Sequence, residues 1–280
     1  MSITQKDLTA AIEGFAPPSM QEPWDNSGWQ INLRPGEVSR ILVSLEIIAA
    51  VADEAKQRGA DVILTHHPLF FMPMKNIDAD TFEGGYAADL IRAGISVYSA
   101  HTSFDAAPGG MNDALAEMCG LTDVKPFLPD AGLEVPEGIV ADGTEIGSGG
   151  AGAPIARSGK LEENLPFWQY TDIVARQIGM EGRLKMAGDP EKRIRSVVVC
   201  GGGGGDYIPS VIEQGFDLYI TSDIKHHQAQ WAKERGLCLI DGGHYGTEKH
   251  FVQVAAANLR AAFGSALDVV ETAVSADPFL

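Results

Sequence analysis

Six short apolar runs set the rhythm of the chain, at residues 41–45, 62–64, 95–98, 197–200, 218–220 and 238–240, and each is closed by turn-forming or polar residues. Their length and β-branched content predict buried strands. Between them the sequence predicts helices over 47–58 with a stop at Gly59, over 86–92 before Gly94, and over 112–118 with Asn112 as N-cap and Gly120 as stop. Further helices are expected over 207–214, 224–234 and 247–263. Strands alternating with helices point to an α/β architecture with a largely parallel sheet.

Residues 128–164 break that rhythm. They are rich in Gly and Pro, including GSGGAGAP at 147–154, and show no long helical period. The stretch reads either as a linker or as irregular strands of a second domain with glycine-rich loops. Alternation resumes near Phe167, which places a domain change around 125–130, and no fixed-period internal repeat is visible.

Composition narrows the class. At 280 residues and 45% hydrophobic, the chain can bury a sizeable core. No apolar run approaches the roughly 20 residues needed to cross a bilayer. The first residues, MSITQKDLTAAIEGF, carry neither a basic stretch nor an apolar signal segment. Cys119, Cys200 and Cys238 are isolated, with no CxxC pair, so they read as reduced core thiols and a cytosolic location is expected. With 38 acidic against 21 basic residues the formal charge is −17, and the longest basic cluster is EKRIR at 191–195. That balance repels a phosphate backbone and argues against nucleic-acid binding. A small anionic substrate remains compatible if metal ions supply positive charge locally.

The histidines change the picture most. All seven fall into four clusters: His66 with His67, His101, His226 with His227, and His244 with His250. Three clusters follow a strand directly, in VILTHH, ISVYSAH and DLYITSDIKHH, and the fourth follows CLID after two glycines. Ligands in open α/β sheets bind at the carboxyl ends of strands, where side chains converge. Asp105 lies four residues after His101, and Glu248 four after His244. Imidazole with carboxylate suits Zn, Mn, Fe or Co, while the lack of clustered Cys argues against a structural zinc knot. Three imidazoles and two carboxylates exceed what one open catalytic zinc needs and suit two ions about 3.5–4 Å apart. The expected ligands are His66, His67, Asp105, His244 and Glu248.

ILTHHPLFF, YSAHTSFDAAPGGMNDALAE, DLYITSDIKHH and LIDGGHYGTEKHFVQ, with EPWDNSGWQ and the closing DPF, resemble the NIF-three-like dinuclear-metal family, whose members are often labelled GTP cyclohydrolase I type 2 homologues. The resemblance implies two interlaced α/β domains, 1–127 with 245–280 and 128–244, with the metal site in the cleft between them. It further implies a toroidal homohexamer with two divalent ions per subunit. The family ligands map onto the same five residues, and His101 and His227 match positions close to the metals, as groups that support the ligands or transfer protons rather than bind metal. The chain departs from the family where Glu46 and Ile48 replace Asp and Thr, and where Ser222 replaces the glycine of TGD or TGE.

Such a site activates water and clamps carbonyl or phosphoryl oxygens, so metal-dependent hydrolysis of a nucleotide or phosphoester is the expected function. The cyclohydrolase specialisation comes from the resemblance alone. The alternative is a metal-binding or regulatory hexameric scaffold without turnover. Three further features are assigned to structure. Gly201–Gly205 lacks the GK[ST] ending of a phosphate loop and reads as a tight strand-to-helix turn. Trp24, Asp25, Asn26 and Trp29 read as lining an entrance or packing between domains, with packing preferred. His250, two residues beyond Glu248 on one helix, reads as a surface residue.

Overall fold

A computed structural model describes residues 2–34, 36–129 and 153–279. The chain forms two compact units, Met1–Ala107 with Phe251–Leu280, and Pro108–His250. In chain order the first unit contains α1 (Gln5–Phe15), β1 (Gly28–Ile31), β2 (Arg40–Ser44), α2 (Ala49–Arg58), β3 (Val62–Thr65), α3 (Phe82–Ala93), β4 (Ser96–Ser99) and α4 (Thr102–Ala106). The second contains α5 (Met111–Met118), β5 (Thr122–Pro126), β6 (Arg157–Pro166), α6 (Phe167–Gln177), β7 (Lys185–Ala187), β8 (Arg193–Val199), α7 (Ile208–Glu213), β9 (Leu218–Thr221), α8 (His226–Glu234), β10 (Cys238–Asp241) and α9 (His244–Glu248). The chain then returns to the first unit with α10 (Phe251–Phe263) and β11 (Asp268–Glu271).

The first sheet runs β1-β4-β3-β2-β11, parallel except for β1. Its inner strands are apolar on both faces because both are covered. Leu42, Ile63 and Val97 pack with Val51, Ala52 and Ala55 of α2 and with Ala87 and Leu90 of α3. On the other side α10 packs against β2 and β11, and α1 packs against α10. Gly59 ends α2 in the left-handed conformation, as a C-terminal glycine stop does. The second sheet runs β5-β6-β8-β9-β10-β7, with β8, β9 and β10 parallel and the others antiparallel. Val197, Ile220 and Ile240 pack with α5 and α6 residues such as Leu115 and Tyr170. Val198, Tyr219 and Leu239 pack with Ile208 and Val211 of α7 and Ala232 of α8. Each fully buried aliphatic side chain contributes roughly 1.5–3 kcal/mol.

Several expectations are corrected. The change of unit falls at Ala107–Pro108 rather than near 128, because β5 pairs with β6 and α5 packs on β6 and β8. The return falls at His250–Phe251 rather than at 244–245, since α9 packs against α5. The stretch 128–164 holds most of the ten-residue β6, while most of the GSGGAGAP segment lies outside the described residues. Gly110, not Asn112, is the N-cap of α5; Asn112 is fully buried inside that helix. The helix expected over 247–263 is broken, with α9 ending at Glu248 and α10 starting at Phe251. His250 sits in that break, buried, its Nε2–H donating to the Met111 carbonyl at 2.9 Å. The surface reading of His250 assumed one continuous helix. No helix among the described residues is long and apolar enough to cross a membrane.

Candidate metal-binding site

In the first unit β2, β3 and β4 run parallel and in register, with Ser44 beside Thr65 and Thr65 beside Ser99. Their carboxyl ends therefore emerge side by side. The Leu45 carbonyl accepts from the amides of His66 and His67, which fixes where the double histidine leaves the sheet. His66, His67 and His101 are brought together, with candidate ligand nitrogens within 4.8 Å of one another. Asp105, on the short helix α4, puts Oδ1 3.7 Å from His66 Nε2, and both residues are buried. Glu46, one of the family departures, puts Oε2 3.7 Å from His67 Nδ1.

A ring nitrogen that donates to a carbonyl must carry the proton, leaving the other nitrogen as the base. His66 Nδ1 donates to the Ala100 carbonyl at 3.0 Å, so Nε2 is its lone-pair atom. His101 Nδ1 donates to Asp25 Oδ1 at 2.7 Å, which has the same consequence. Asp25 also accepts from the Thr102 amide and hydroxyl and from the Ser27 hydroxyl. Burial alone would raise the Asp25 carboxyl; the hydrogen bond and charge of His101, with the Thr102 and Ser27 hydroxyls, outweigh it and hold the group far below the ordinary carboxylate range. Asp25 is therefore a carboxylate, and it accepts the Nδ1 proton of His101.

The second unit repeats the device. His244 opens α9 and Glu248 closes it, with Nε2 and Oε2 3.1 Å apart on one side of the helix. His244 Nδ1 donates to Asp223 Oδ2 at 2.7 Å, across from the end of β9. Asp223 takes a positive φ of 55°, which is sterically unfavourable for a residue with a Cβ. The glycine run after β8 presses on the same pair. A Cβ on Gly202, whose φ is +67°, would collide with Glu248 Oε1 and lie 3.3 Å from His244 Nε2. A Cβ on Gly201 would lie 3.3 Å from Glu248 Cγ. The amides of Gly201, Gly202 and Gly204 are taken by Asn112 Oδ1, Thr247 Oγ1 and Thr221 Oγ1. They are thus committed to side chains rather than offered to a phosphate, and close packing explains the glycines.

His227 is exposed on the first turn of α8. Trp29 packs as expected, edge-on to Tyr98 at 5.2 Å, but Trp24 does not; it is 58% exposed. Sequence reasoning assigned no role to Asp223 and left Asp25 as an entrance or packing residue. The signal for the first was its place just past a strand end. The signal for the second was a carboxylate in the EPWDNSG block.

Nitrogen and carboxylate donors with lone pairs already assigned fit a divalent ion such as Zn, Mn, Fe or Co. Cys119, Cys200 and Cys238 are buried free thiols outside these groups.

Two doubly covered α/β sheets with histidine and acidic clusters at strand ends define an α/β protein carrying groups able to bind a metal ion. Residues 3–278 match the profile of the Duf34/NIF3 (NGG1p interacting factor 3) family, and the chain belongs to that family. A Clostridium acetobutylicum protein named GTP cyclohydrolase 1 type 2 homolog is 33% identical over 94% of this chain and 91% of its own length. A Nostoc protein of the same name is 36% identical, over 87% and 86%. Among solved structures, a Bacillus cereus protein related to NIF3 has the same fold, with a TM-score of 0.85 at 24% identity over 100% of this chain and 99% of its own.

Proposed function

We propose that this protein is a divalent-metal-dependent hydrolase acting on a nucleotide or phosphoester, with two ions held by His66, His67, Asp105, His244 and Glu248. The observation that carries the reading is a recurring one. His66, His101 and His244 each have Nδ1 tied to a backbone carbonyl or a carboxylate, which makes Nε2 the candidate ligand or base atom, in the company of other ligand atoms. Divalent ions at such donors polarise a carbonyl or phosphoryl oxygen and lower the pKa of coordinated water.

The chain's own residues supply the remainder. His101, fixed by Asp25, holds a base nitrogen beside the His66 and His67 rings and is the group assigned to move a proton during reaction. Asp223 orients His244, and the glycine run admits Glu248 at close range. The names of the relatives make GTP the first nucleotide to try, and a homohexamer is the assembly we assign by resemblance.

The test is a purified protein assayed for metal per chain and for turnover of nucleotides and phosphoesters. Turnover is expected to stop on chelation, to return with added Zn, Mn, Fe or Co, and to be absent in His244→Ala. Turnover that persists after complete metal removal would end this reading, and full metal occupancy without turnover on any substrate would favour the scaffold.

A further inference from the structure

Trp24 and Phe71 are large apolar side chains left open to solvent, at 58% and 54% exposure, beside His101. The three rings form one cluster. Trp24 and Phe71 centroids are 5.9 Å apart at 56°, Trp24 and His101 6.0 Å at 73°, and Phe71 and His101 6.3 Å at 85°. An exposed aromatic on a mobile loop would mean little. These two are held from below. Asp25, adjacent to Trp24, has a fully buried side chain and accepts hydrogen bonds from His101, Thr102 and Ser27. Asn26 Nδ2 donates to the Phe70 carbonyl at 2.6 Å, and the Phe70 amide donates to Gln30 Oε1 at 3.1 Å. The backbone before Phe71 is thereby tied to the segment that carries Trp24. A polar network fixes the backbone beside both side chains, which stay more than half exposed, and its Asp25 branch also holds the proposed proton-transfer group.

Exposing an indole to water forgoes the free energy its burial would contribute. Rigid, solvent-facing aromatics next to polar reactive groups are how proteins stack planar unsaturated rings, at little cost in side-chain entropy. We infer that Trp24 and Phe71 form a stacking ledge for a planar heterocycle of purine size, which sets the ring of a nucleotide substrate against His101. The inference rests on the hydrolase reading for the word substrate, but the ledge binds the ring without metal. In the absence of metal the carboxylate-rich chain repels a phosphate, so the ring alone supplies affinity there.

The experiment uses the full chain, stripped of metal, with guanosine as probe because it has the ring and no phosphate, and with ribose 5-phosphate as the ring-free control. The protein is labelled with 5-fluorotryptophan, and the Trp24 resonance is identified by its loss in Trp24→Phe. Guanosine is expected to shift that resonance and ribose 5-phosphate to leave it in place. Trp24→Ala and Phe71→Ala are expected to weaken guanosine binding about tenfold or more, while Trp24→Phe keeps most of it. Both side chains are exposed, so the folded state survives these changes and circular dichroism checks it. An unmoved resonance, or equal guanosine binding by Trp24→Ala, would overturn the ledge. So would a change of assembly mass in Trp24→Ala or Phe71→Ala without any guanosine response, which would assign the patch to a protein contact. The two readings fail separately. Metal-dependent cleavage of ribose 5-phosphate with no guanosine response removes the ledge and keeps the hydrolase. Guanosine binding lost in Trp24→Ala, with no turnover on any substrate, keeps the ledge and removes the hydrolase.

Discussion

A histidine that serves as a ligand or a base needs one ring nitrogen free of its proton, and burial alone does not choose which. The Ala100 carbonyl, Asp25 and Asp223 make that choice for His66, His101 and His244 by accepting from Nδ1. Replacing the carboxylate by an amide leaves the shape and removes the preference. Asp25→Asn is therefore expected to lower activity about 10–100-fold with little change in fold, read as kcat with metal content held equal. Gly202→Ala is expected to act through geometry. It places a Cβ at positive φ, which costs about 1–2 kcal/mol, and drives that Cβ into Glu248. Melting temperature and metal per chain should both fall. The grouping of His66, His67 and His101 was legible in the sequence because each follows the end of an apolar run, and Asp105 because it lies four residues after His101. Asp25 was not legible as the partner of His101, since 76 residues separate the two and no spacing rule links them.

Strands covered on both faces are written as unbroken apolar runs, and for that reason β2, β3, β4, β8, β9 and β10 were readable within a residue or two at most boundaries. β5 has no such run. Thr122–Pro126 is largely exposed and pairs at an edge, so its residues carry no core signature. β6 was hidden in a glycine-rich stretch because RSGKLEENLP buries only part of its length. The core strands should respond to truncation accordingly. Ile220→Ala, fully buried in β9, is expected to cost about 2–5 kcal/mol in denaturant unfolding. A polar clamp joins the start of β9 to β8, where Asp217 accepts from the amides of Arg195 and Ser196 and from the Ser196 hydroxyl. Burial would raise this carboxyl, but those hydrogen bonds outweigh it and lower it. A group lowered on folding stabilises the native state fully above its unfolded value near ~4, and that contribution is lost as pH falls through the native value. Asp217→Asn should therefore melt below the wild type at pH 7, and the deficit should shrink as pH falls below about 4.

At the scale of the molecule the chain passes from one α/β unit into a second and back, so the proposed ligands are divided between two units, His66, His67 and Asp105 in one and His244 and Glu248 in the other. The family accounts for the fold, and the homohexamer is a proposal. Light scattering coupled to size exclusion is expected to give six times the 29.8 kDa subunit mass. The most direct test of the central claim is anomalous diffraction at the metal edge from crystals grown with Zn or Mn. Two peaks per subunit are expected, touched between them by His66, His67, Asp105, His244 and Glu248. Metal-replete crystals with no peak at these five side chains would contradict the account.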